Sequence, residues 1–306
     1  MLTSLFPQNI KIEYKMEKII FTCSTITPLV MNGALLETPE LRPPGIKAAL
    51  RFWWRALHGH LTINDLREKE SSIFGSTNAR SKVIVRVVEG LKDDLIENTD
   101  ILPHKKSRPL PAYPSNQVFK IRIDFDSSTI SKEKIESLFI LACTLGGLGK
   151  RSRRGFGSVE ILTIDSVASN EAEFIFPCSL LEIKKHLDIL NPNRFSDPID
   201  NKLSNQSITK DNYREEYPWL VDIQISSKKI TVEDIGNRSH LAMSDNPFAY
   251  KNSVGAGNPR FASPIIVSIL PDGHCVISTL NTVPPSKNST VDMGIQTNFK
   301  NRLLLS

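Results

Sequence analysis

Val118-Phe119-Lys120-Ile121-Arg122-Ile123-Asp124-Phe125-Asp126 alternates from end to end. Phe119, Ile121, Ile123 and Phe125 fall on one side of an extended chain. Lys120, Arg122 and Asp124 fall on the other, because successive strand side chains point to opposite faces. The stretch therefore predicts a half-buried strand. Downstream, Ser131 is placed to N-cap a helix whose Ile135, Leu138, Phe139 and Ala142 recur at helical spacing. A glycine-rich loop follows at 146–157, then a strand at 158–164 (SVEILTI). Upstream, 103–117 holds four prolines among polar residues and predicts a loop. Before it, 82–89 (KVIVRVVE) predicts a strand. Pro43-Pro44-Gly45 opens a helix running to about Gly59, and 17–25 (EKIIFTCST) predicts another strand. The order β-α-β-β-α-β is the ferredoxin-like arrangement. Its helices cover one face of an antiparallel sheet and leave the other face for a ligand.

The second half is less regular. Leu180, Ile183, Leu187 and Leu190 mark a helix over 180–190, and 191–213 is polar enough to predict a long loop. A strand is expected over Trp219–Ile225. Pro271-Asp272-Gly273-His274 between Ile265–Leu270 and Cys275–Leu280 predicts a hairpin. The chain of 306 residues is long enough for two domains, placed at 1–165 and 166–306, of α+β class.

Composition excludes several classes. Hydrophobic residues make up 40%, which suits a packed core, and no apolar run approaches the roughly 20 residues of a membrane helix. The first twenty residues mix Gln, Lys and Glu among apolar ones, unlike a secretory leader. Cys23, Cys143, Cys178 and Cys275 lie far apart with no CxxC pair, which argues against zinc and against a disulfide framework. A cytoplasmic setting without membrane, metal or cofactor is the simplest expectation. The excess of positive charge lies in the first half. Residues 1–165 carry 24 Lys/Arg against 18 Asp/Glu, whereas 166–306 carry 14 against 15, so a polyanion partner is expected for the first half.

Two constellations could meet that polyanion. In the first helix, GIKAALRFWWRALHG at 45–59, Ile46, Leu50, Trp53 and Leu57 form an apolar stripe. Lys47, Arg51, Trp54 and His58 form a neighbouring one, with Arg55 at its edge. With Arg42 there are four cations and no acid between Arg42 and His58. Trp54 could stack on a base, though a solvated basic face is the commoner role of such a stripe. The second constellation is the loop 146–157, in which five glycines and four cations share twelve positions. Gly147, Gly149, Gly155 and Gly157 let the backbone approach a ligand closely, and Lys150, Arg151, Arg153 and Arg154 add charge for phosphate. The loop is not a nucleotide motif. Thr144 stands where a P-loop has glycine, Arg151 follows Lys150 where Ser or Thr is required, and a dinucleotide fingerprint leads from a strand into a helix. A weaker feature is Phe74-Gly75-Ser76-Thr77 with Arg80 and Lys82. For catalysis, His60, His104, His186, His240 and His274 show no acid–base pattern; His58 alone sits in a basic neighbourhood.

Thr27-Pro28-Leu29 with Gly33-Ala34, and the run from Glu40 to Leu57 (ELRPPGIKAALRFWWRAL), resemble the RAMP superfamily. Within it they resemble the first subunit of the type III-B CRISPR (Cmr) effector complex. Phe74-Gly75-Ser76 with Arg80-Ser81-Lys82-Val83, the loop Gly146 to Val159, and Arg260-Phe261-Ala262-Ser263-Pro264 look similar to the same family. The resemblance covers the first 160 residues well and the rest thinly. It implies two tandem ferredoxin-like (RRM-like) domains. It also implies a cytoplasmic ribonucleoprotein whose partners are guide CRISPR RNA, target RNA and other RAMP subunits. This subunit would sit toward the guide's 3′ end without catalytic duty, since cleavage in such complexes is attributed to other subunits. The alternatives are a metal-independent CRISPR RNA-processing endoribonuclease using His58, and a purely structural assembly subunit. The expected geometry is one cationic cradle made jointly by the first helix and the loop.

Overall fold

The computed structural model describes residues 16–35, 37–102, 109–166, 174–207, 217–245, 247, 251, 253–255, 261–283 and 291–304. His104, Arg260 and residues 208–213 of the expected long loop lie outside that set.

Strand β1 (Met16–Thr25) is followed by helices α1 (Pro43–Leu57) and α2 (Ile63–Phe74), then β2 (Val83–Glu89). A short hairpin, β3 (Glu97–Thr99) and β4 (Leu110–Ala112), precedes β5 (Val118–Asp126), α3 (Lys132–Thr144) and β6 (Val159–Ser166). The first sheet has the order β2-β5-β1-β6 with antiparallel neighbours, which is the ferredoxin-like topology. The alternation in β5 does what the sequence requires. Phe119, Ile121, Ile123 and Phe125 are fully buried, opposite Cys23, Phe21, Ile19 and Glu17 of β1. Phe21 meets Phe139 of α3 in a tilted ring contact, 4.4 Å between centres. With its aromatics turned inward, the sheet offers no stacking platform on its open face. That face is held instead by Asp124, a buried carboxylate gripped by Arg86 and Arg122.

The second half begins with α4 (Leu180–Leu190), closed by a capping box between Ser179 and Glu182. Then come β7 (Lys202–Ser204), β8 (Leu220–Ile225), α5 (Val232–Asp245), β9 (Ile265–Ile269), β10 (Cys275–Leu280) and α6 (Met293–Leu304). Its sheet runs β7-β8-β10-β9, again antiparallel. Counting from β8, the units β8-α5-β9-β10-α6 follow the ferredoxin-like order. The place beside β8 that a strand after α6 would fill is taken by β7, from upstream. This substitution accounts for the irregularity expected of the second domain.

The two sheets share one interior. Ile266 of β9 and Leu270 just after it belong to the main core with α1, α3 and α4, whereas Ile265, Val267 and Ile269 face α5 and α6. Ser268 and Ser278 donate to the carbonyls of Cys143 and Leu145 at the end of α3, at 3.5 and 3.2 Å. Each satisfies a carbonyl that the helix C-terminus leaves open. Helix α4 packs along α3, where Ser137 meets His186 at 3.1 Å. The layers are thus sheet, helices, sheet, helices. None of the described helices is long and apolar enough to cross a membrane.

Candidate nucleic-acid interface

The glycine-rich loop joins α3 to β6 and is held on two sides. Toward β1, Lys150 N–H donates to the Val30 carbonyl at 2.7 Å and Gly157 N–H to Pro28 at 2.9 Å. Leu148 N–H closes the loop on Gly157 at 2.8 Å. Toward the second sheet, Gly155 N–H donates to Val267 of β9 at 2.9 Å. The hydroxyl of Thr27 donates to Gly155 at 2.6 Å, and that of Ser158 at 3.0 Å. Two glycines are obligatory. A Cβ on Gly149 (φ +83°) would lie 2.4 Å from the Val30 oxygen, and one on Gly157 (φ +64°) 1.9 Å from the Leu148 oxygen. This is a braced backbone rather than a flexible connector.

Bracing divides the four cations. Arg154 is buried, 8% exposed. It donates to the carbonyls of Arg153 and Ile265 at 2.9 Å each and to the Ser263 hydroxyl at 3.1 Å, and lies over the Phe299 ring. Its role is to tie the two halves together, which removes it from the expected RNA contacts. Arg153 donates one N–H to Ser263 and rests 5.2 Å over Phe52; burial lowers its pKa to about 10, so it stays charged at neutral pH. Lys150 and Arg151 are half-exposed. Arg151 adopts φ +61°, and the 3-10 turn Ser152–Arg154 follows it. No carboxylate among the described residues pairs with Lys150, Arg153 or Arg154. The loop cations face an open groove of about 920 Å³ between the two halves. Its far wall carries Ser239, His240 and Met243 of α5 and Phe261 near β9. Sequence reading missed this wall because α5, with Gly236 and mixed polarity, lacks a clear apolar stripe.

The basic stripe of α1 is differently employed. Lys47 donates to the Ser81 hydroxyl at 2.6 Å, which brings the Phe74–Lys82 segment against α1. Arg51 Nε and Arg55 Nη1 both reach Oε1 of Glu70, at 2.6 and 2.5 Å, and Glu70 is buried at 6% exposure. Arg55 also donates to the Tyr217 hydroxyl and lies 4.9 Å over its ring. Arg42 stays half-exposed, 3.7 Å from Glu40. The compensating acid absent from the helix itself thus comes from α2. Its sequence signal is a Glu on the apolar stripe Leu66, Glu70, Ile73. Helix geometry turns Lys47 and Arg51 away from the loop, because Gly45, Ala49, Phe52 and Trp53 face it, while Arg55 reaches Tyr217, which Arg153 of the loop also faces. Ala49 and Arg51 are about 160° apart around an α-helix. The expected cradle is thus divided: Arg51 is tied to Glu70, whereas Arg55 and Arg153 meet at Tyr217.

Trp54 and His58 are also corrected. Trp54 is buried, and His58 stacks on it at 4.1 Å with a 20° interplanar angle, so its ring face is occupied. His58 Nδ1 lies 2.6 Å from the Trp54 carbonyl, which can only accept, so that nitrogen carries the proton. Burial pushes the His58 pKa from 6.5 down to about 4. Between those values the unfolded chain binds more protons, so stability falls as pH is lowered from about 6.5 toward 4. The loss from this group reaches up to about 3 kcal/mol. His58→Phe keeps a ring over Trp54 and should flatten the acid limb of the urea-midpoint curve in that window. An unaltered acid limb would remove His58 as its source.

A tandem of ferredoxin-like units with a braced glycine-rich loop at their junction defines the class of protein. The profile of the RAMP superfamily matches residues 22–160. The CRISPR system Cmr subunit Cmr1-2 of Pyrococcus furiosus is 30% identical over 179 residues, covering 48% of this chain and 96% of that protein. The chain belongs to the RAMP superfamily. Cmr1-1 of the same organism is 35% identical over 146 residues, or 42% of this chain and 43% of Cmr1-1, so the match spans under half of that relative's length. The crystal structure of Cmr1 from Pyrococcus furiosus shares the fold, with TM-score 0.59 at 20% identity over 94% of this chain and 97% of that one. A chain of the type III-B Cmr-beta complex bound to cognate target RNA gives TM-score 0.58 at 13% identity, over 94% and 100%.

Proposed function

We propose that this chain is a non-catalytic, RNA-binding subunit of a type III-B CRISPR ribonucleoprotein, equivalent to Cmr1. It holds the backbone of guide CRISPR RNA near its 3′ end, or of the guide–target duplex, beside other RAMP subunits. The Cmr subunit relatives support the assembly. The observation that carries RNA binding is the braced loop, which aims Lys150 and Arg151 into an open groove. Sequence is read by guide–target pairing, while the protein supplies charge. Phosphate contacts are assigned to Lys150, Arg151 and Arg153, while Lys47 and Arg51 of α1 are engaged by Ser81 and Glu70. We place the domain division at the end of β6, between the two sheets, with α4 packing back on α3. His58, neutral and stacked, does not favour the endoribonuclease alternative.

Lys150→Ala/Arg151→Ala in the full chain tests the reading and spares Arg153 and Arg154, which hold the halves together. Binding of labelled single-stranded RNA should weaken about tenfold at low salt, for all sequences alike. The slope of log affinity against log salt should become shallower by about 1.4, at about 0.7 per phosphate contact. An unchanged affinity and slope in the folded variant would reject the loop as the phosphate site.

A further inference from the structure

Strand β9 closes the second sheet as an edge strand, in the order β7-β8-β10-β9. Ile265-Ile266-Val267-Ser268-Ile269 holds no charge, no proline and no bulge, the devices that keep an edge from pairing with foreign strands. The opposite edge, β7, is only three residues long. Cover for β9 comes instead from elsewhere in the chain. Pro264 accepts from Leu280 N–H and Leu270 donates to His274, both at 2.8 Å. By the alternation of an antiparallel ladder, Ile265, Val267 and Ile269 therefore turn their backbone groups outward. The glycine-rich loop meets all three. Arg154 Nη1 donates to the Ile265 carbonyl, Gly155 N–H donates to the Val267 carbonyl, and Ser158 Oγ accepts the Ile269 N–H, each at 2.9 Å.

We infer that the loop has a second duty, separate from phosphate: it covers the β9 edge and keeps the second sheet from pairing with a second copy of this chain. A bare β9 is self-complementary. Two copies related by a two-fold axis at Val267 would set Val267 against Val267 and Ile265 against Ile269, with their outward groups paired. The segment is β-branched and uncharged, the composition that favours such pairing. The cover does not depend on the RNA-binding reading. Arg154, Gly155 and Ser158 make it and are buried, whereas Lys150 and Arg151 are half-exposed toward the groove.

Arg154→Met/Ser158→Ala in the full chain is the test. Methionine keeps an unbranched stem beside Phe299, and the two changes remove the bonds to Ile265 and Ile269. In sedimentation velocity the variant should gain, as concentration rises, a species of about twice the native particle mass. Adding Val267→Pro should abolish that species. The Val267 N–H points outward, so proline there costs no bond to β10 but blocks an incoming strand. Lys150→Ala/Arg151→Ala should sediment as the native chain does. A folded Arg154→Met/Ser158→Ala variant that keeps the native mass at every concentration would overturn the cover. So would a doubled mass that survives Val267→Pro. Should the variant not fold, hydrogen exchange on the native chain decides. The Ile269 amide, held by Ser158, should exchange as slowly as its neighbours in the β9–β10 ladder; exchange at the rate of an exposed amide would overturn the cover.

Discussion

Gly157→Ala should cost at least about 3 kcal/mol of stability and abolish loop-dependent RNA binding. Two penalties combine. Alanine at φ +64° carries a left-handed strain of roughly 1–2 kcal/mol. Its Cβ would also stand 1.9 Å from the Leu148 oxygen, a backbone atom that cannot rotate away. Relief requires opening the Leu148–Gly157 hydrogen bond, and with it the Pro28 and Val30 contacts that brace the loop. Against a typical total of about 5–15 kcal/mol, such a loss moves the urea midpoint far. Gly90→Ala is the control, because a Cβ there meets nothing within 4 Å; it should be neutral or slightly stabilising. Equal urea midpoints for the two variants would show that the loop tolerates rearrangement.

The second large effect concerns Glu70. Glu70→Ala should destabilise by about 3 kcal/mol, because it strips two guanidiniums of the buried carboxylate they share. Arg51→Ala alone should cost far less, since Arg51 is 37% exposed and can be replaced by water. In a double-mutant cycle the two losses should couple by about 1 kcal/mol or more. RNA affinity should hold or rise in Glu70→Ala, because positive charge is released and the groove is untouched. A drop in RNA affinity that matches Lys150→Ala/Arg151→Ala would place the α1 stripe inside the binding surface after all.

The first domain is legible because its signals are local. Alternation in β5, the Ser131 cap on α3, and Pro43-Pro44 at the start of α1 each determine an element without help from the rest of the chain. The helix α2 went unread, though Thr62 caps it and Gly75 ends it, because its charged face obscures the stripe of Leu66, Ile73 and Phe74. What alternation cannot reveal is which partner a side chain finds across the fold. Arg154 and Lys150 look alike in sequence. One is buried by Ser263 and Ile265, over a hundred residues away, and the other faces the groove. Likewise the neutralising Glu70 lies on a neighbouring helix, beyond any count of charges along α1. The place of β7 in the second sheet is non-local too, since three residues of strand carry almost no pattern of their own.

The most direct measurement is photo-crosslinking of bound RNA from single benzoylphenylalanine replacements. One is placed at Met243 on the far wall of the groove and one at the exposed Lys18 on the open face of the first sheet. RNA captured at Met243 and not at Lys18 is the predicted result. Capture at Lys18 with none at Met243 would contradict it, and would move the nucleic acid to the other side of the molecule.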